Sequence, residues 1–65
     1  MTNEQRNENA RTFAARIKKA ETLDDLRKLE ASLDRIWNAG DLLTASQFMR
    51  LDGAIMDRLV AIEHA

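Results

Sequence analysis

Cysteine, proline and tyrosine are absent from this 65-residue chain, which also has only two glycines, one tryptophan and one histidine. Without thiols there is no disulfide framework, no thiolate metal centre and no cysteine nucleophile, so the staples of small secreted domains are excluded and a reducing, cytoplasmic setting is expected. No stretch approaches the roughly 20 apolar residues of a membrane helix. The opening Met1-Thr-Asn-Glu-Gln-Arg has no apolar run behind it, and no targeting signal is expected. Neither sign of charge prevails, with ten Lys and Arg against eleven Asp and Glu. Charged residues at 32% and apolar residues at 45% fit neither a disordered tail nor a membrane span, leaving a soluble helical domain.

What is present is helical periodicity. Residues 1–9 are polar after Met1, which predicts a frayed start with order from near Glu8. Ala10, Phe13, Ala14, Ile17 and Ala20 then form one narrow stripe, giving a first helix over about 4–20. Thr22 ahead of Leu23-Asp24-Asp25 offers a hydroxyl cap, with two carboxylates at the positive end of the next helix. That second helix, about 23–39, carries Leu23, Leu26, Leu29, Leu33 and Ile36 on one face with Trp37 beside them. Gly40 suits a left-handed cap at its end. Thr44-Ala-Ser-Gln47 has capping-box spacing, and Leu43 is placed to staple onto Phe48, so a third helix runs over about 45–63. With so short a connection the last two helices must turn back on each other. The expected fold is all-α, a single domain over 1–65: a helical hairpin with a leading N-terminal helix, making a three-helix bundle.

The third helix has two apolar stripes. Phe48, Leu51, Ile55, Leu59 and Ile62 face the second helix, while Met49, Gly53, Met56 and Val60 step by four, three and four at roughly 100° from them. Gly53 costs about 1 kcal/mol within a helix but lets a facing backbone come close. Methionines supply adaptable contacts. Either the first helix lays Phe13 and Ile17 on this second stripe, or another chain packs there; the two readings are compatible, because two large side chains cover it incompletely. Trp37, near the turn, is either a core-edge residue or part of an interface. A domain this small buries only about 60% of its unfolded surface, and association is a common remedy. A homo-oligomer and a protein partner are therefore expected, with Trp37, Met49, Gly53, Met56 and Val60 as interface residues.

Charge is distributed unevenly. Residues 1–20 hold five cations and two carboxylates, and residues 21–65 hold five cations and nine carboxylates. Arg11, Arg16, Lys18 and Lys19 could contact nucleic-acid phosphates, yet no aromatics interleave them and the acidic hairpin opposes them. Electrostatic docking of the first helix, within the chain or head to tail between chains, accounts for them more simply. A DNA-reading helix-turn-helix is disfavoured by bulky Ile36 four residues before Gly40. Nucleic acid and membrane are thus not expected partners. Nor is catalysis: His64 lies one residue from the C-terminus, Ser32 and Ser46 have no nearby base, and the acids Glu21, Asp24 and Asp25 are explained by the helix dipole. No cofactor or metal is expected.

The residues Leu29, Leu33, Ile36, Gly40, Leu43, Thr44, Gln47, Phe48 and Leu51, over about half the chain, resemble the small helical hairpins of phage and mobile-element proteins. Part of this stretch is similar to a short oligomerisation motif that joins a leucine run to Gly, a hydrophobic-Thr step and an acidic-Phe pair; here Asp41 is inserted and Gln47 replaces the acid. The architecture also resembles the small co-chaperones of type III secretion. These resemblances imply only binding rather than catalysis and supply no site residue; the expected role is that of a small inhibitor or adaptor of a bacterial or phage protein.

Overall fold

The structure is a computed structural model and describes residues 2–64. Three helices run in order: α1, Asn3–Lys19; α2, Leu23–Asn38; and α3, Ala45–Glu63. Each starts at a threonine in extended conformation. Thr22 Oγ1 accepts from the Asp25 N–H at 3.1 Å. At Thr44 both halves of the capping box form: its hydroxyl accepts from the Gln47 N–H at 3.1 Å, and its own N–H donates to Gln47 Oε1 at 3.0 Å. Two otherwise orphaned donors are thereby satisfied at once.

The predicted frayed start is corrected by a second box of the same kind. Thr2 and Gln5 exchange both hydrogen bonds at 3.2 Å, so α1 begins at Asn3, in keeping with the helix expected over about 4–20, and order does not wait until near Glu8. Its polar first turns are then used rather than wasted. Arg6 Nε donates to the Asp41 carbonyl at 3.0 Å, Asn9 Nδ2 donates to the Leu42 carbonyl at 3.0 Å, and Gln47 Nε2 donates to Asn7 Oδ1 at 2.7 Å. These bonds tie the opening of α1 to the α2–α3 turn and to the first turn of α3. At the far end Arg58 Nε donates to the Ala20 carbonyl at 3.1 Å.

Gly40 takes a φ of +78°, as a left-handed cap demands, and Asp41 follows it with a φ of +52°. Aspartate is one of the few other residues that tolerate this region, so the sharp reversal is built from Gly40 and Asp41 together. The hairpin so formed buries Leu26 and Leu33 of α2 against Leu51 and Ile55 of α3, with Phe13, Ile17 and Ala20 closing the core from the α1 side and Leu43 from the turn. Among the described residues the core contains no buried polar or charged side chain. The fold is the expected all-α three-helix bundle. Among the described residues no helix is long and apolar enough to cross a membrane.

Candidate interaction face

The position of α1 determines what remains open. α1 does dock within its own chain, but not on the second stripe of α3. Grooves of about 410 and 360 Å³ mark its line of contact: one is bounded by Ala10 and Ala14 on α1 and Leu51 and Ala54 on α3, the other by Ala14 and Ile17 with Ala54 and Ala61. At about 100° per residue, Ala54 lies about 60° to one side of Leu51 and Met56 about 140° to the other. Alanines on both helices let them approach on that flank, and Gln47 and Arg58 supply hydrogen bonds there. The Met49, Gly53, Met56 and Val60 flank receives no helix.

This strip is accordingly exposed. Met49 retains 71% of its accessible surface, Met56 54% and Val60 50%. Gly53 is not a site of close backbone approach within the chain, since an added Cβ there would meet nothing within 4 Å. Trp37 is 40% exposed, and its indole stacks on Phe48 with ring centroids 4.7 Å apart and planes at 28°. Such a stack lies within the favoured range for aromatic pairs. It fixes Trp37 against Phe48, the residue that precedes Met49 in α3. Trp37, Met49, Met56 and Val60 are the exposed large hydrophobic residues among those described. A clustered apolar surface of this kind differs from singly scattered apolar residues, which are normal on any protein.

The structure does not gather the four cations named as possible phosphate contacts into one patch. Arg11 and Lys18 border the α1–α3 grooves, whereas Arg16 and Lys19 border grooves on the α2 side of α1. The charge that docks α1 is Arg6, whose guanidinium also reaches Asp41 Oδ1 at 3.4 Å. Asp24 pairs with Lys28 at 3.3 Å, one turn along α2. His64 is exposed and caps the end of α3, its N–H donating to the Val60 carbonyl at 3.0 Å. Among the described residues no three His, Asp or Glu side chains converge as a metal-binding set.

The pairing of Trp37 with Phe48 and the alanine contact between α1 and α3 are what sequence reasoning missed. The second had a signal in Ala10, Ala14 and Ala54, which apolar-stripe counting weighs lightly because alanine is small. Compared with known protein families, curated proteins and solved structures, the chain shows no match.

Proposed function

We propose that this chain is a non-enzymatic protein-interaction module, residing in the cytoplasm, that packs against another protein chain through the Met49, Gly53, Met56 and Val60 face of α3 and works as a small inhibitor or adaptor. One observation carries the reading: the bundle buries its core without using this strip, yet half or more of Met49, Met56 and Val60 stays in contact with water. Exposed methionines are suited to protein contact because their unbranched thioethers adapt to the surface they meet. Trp37, held by its stack on Phe48, adds the kind of aromatic anchor that often dominates binding energy. A face made of side chains with no titratable or nucleophilic group acts by packing against another chain.

The test is site-specific photocrosslinking in the cells that make the protein, with a benzophenone amino acid at position 49, 56 or 60 and, as control, at exposed Glu30 on α2. Protein adducts at the α3 positions and not at the control support the reading. A folded protein that yields no adduct from any of the three positions overturns it.

A further inference from the structure

We infer that the occupant of this face is a second copy of the chain, whose α3 lies antiparallel across it. The inference rests on the strip being a docking surface and adds the identity and register of what docks. Met49, Gly53, Met56 and Val60 step by four, three and four, which is the a/d repeat of a two-helix seam, with Gly53 and Val60 at a and Met49 and Met56 at d. Antiparallel helices set a positions against d positions. A single register, with its two-fold axis level with the Ala54–Ile55 peptide, places Met49 against the partner's Val60 and Gly53 against the partner's Met56. Two-fold symmetry repeats each pair. The open space over Gly53, where even a Cβ would meet nothing within 4 Å, is then filled by a long flexible thioether. The glycine that serves no close approach within the chain acquires one between chains.

Charge selects the direction. Arg50 and Asp57 lie along one edge of the strip and Asp52 and Leu59 along the other; Arg50, Asp52 and Asp57 are exposed. In an antiparallel pair like edges meet, so Arg50 faces the partner's Asp57, twice per dimer, and Asp52 falls nearest the partner's Leu59. In a parallel pair opposite edges meet, so Asp52 would face the partner's Asp57, twice, with like charges opposed. Antiparallel packing also sets the two helix dipoles against each other favourably.

The absence of native cysteine allows a direct test of register. Protein carrying Met49→Cys is mixed with protein carrying Val60→Cys and oxidised mildly, and the disulfides are counted by mass. The proposal expects the mixed 49-to-60 link to exceed both like-with-like links; a predominance of 49-to-49 links overturns it. Sedimentation equilibrium from about 1 µM to about 1 mM covers the range in which a seam this small should associate. Arg50→Asp or Asp57→Arg alone should weaken the dimer by about tenfold, and the two together should restore it. Failure of the double variant to recover overturns the antiparallel pairing. A monomer throughout the range overturns the second copy as occupant, whereas the docking reading falls only if the photocrosslinks also fail; adducts with a different protein would keep that reading and discard this inference.

Discussion

Arg6 reaches across 35 residues of chain to Asp41, donating from Nε to the main-chain carbonyl at 3.0 Å while Nη2 stands 3.4 Å from the carboxylate. The acceptor belongs to the one described non-glycine residue with positive φ, so the tether fixes the sharpest point of the α2–α3 turn to the first turns of α1. The carbonyl bond is the stronger part, because the Asp41 side chain is 82% exposed and a solvated ion pair adds little. Arg6→Ala should therefore destabilise the protein by about 1 kcal/mol in denaturant unfolding, and Asp41→Asn by clearly less, since asparagine keeps both the carbonyl and the tolerance of left-handed backbone. Equal losses would place the tether in the carboxylate instead.

The two glycines should respond to alanine with opposite signs. At Gly40 there is room for a Cβ but φ is +78°, so Gly40→Ala costs about 1–2 kcal/mol from backbone strain alone. At Gly53 there is room and the backbone is helical, so Gly53→Ala stabilises the monomer by about 1 kcal/mol. Unfolding midpoints at low protein concentration check both. A loss at Gly53 in the dilute protein would mean that something within the chain already occupies that space.

Core and strip separate cleanly in a truncation series. Leu33 and Ile55 are 1% and 2% exposed, and replacing either by alanine leaves a cavity between α2 and α3 that should cost about 2–5 kcal/mol. Met49→Ala, at a side chain mostly in water, should cost under about 0.5 kcal/mol in the dilute protein. Similar losses at Met49 and Ile55 would contradict the assignment of two faces to α3.

Much of this architecture is legible in local chemistry. Thr22 and Thr44 announce helix starts because a hydroxyl in extended backbone is where free N–H groups need an acceptor, and Gly40 announces a stop because left-handed backbone excludes most side chains. The start of α1 carried the same signature in Thr2 and Gln5, yet a run of Asn, Glu and Gln outweighs a cap when burial is judged from composition. The polar residues of that run find partners 33 to 40 positions away, which no local window contains. The face on which α1 docks was unreadable for a related reason: it depends on alanines permitting close approach rather than on large side chains demanding burial. The Met49, Gly53, Met56 and Val60 strip was readable because its period is helical and its angle differs from that of the core stripe. The stack of Trp37 on Phe48 was not, since it depends on how the turn at Gly40 and Asp41 sets two helix ends beside each other.

Association through the strip should register as stability. Any equilibrium that favours the assembled folded state over the unfolded chain makes the melting temperature depend on protein concentration. The wild-type midpoint should therefore rise as the protein is concentrated, with helicity followed on the same samples. Met56→Glu places a carboxylate at the centre of the strip. In the monomer that carboxylate is solvated, because Met56 is 54% exposed, but at a packed seam it would be buried without a partner at a cost of about several kcal/mol. The variant should match wild type in helicity and midpoint when dilute and then fail to gain stability on concentration. A variant that loses helicity at every concentration would instead place Met56 in the fold of the single chain, and α3 would have no face to spare.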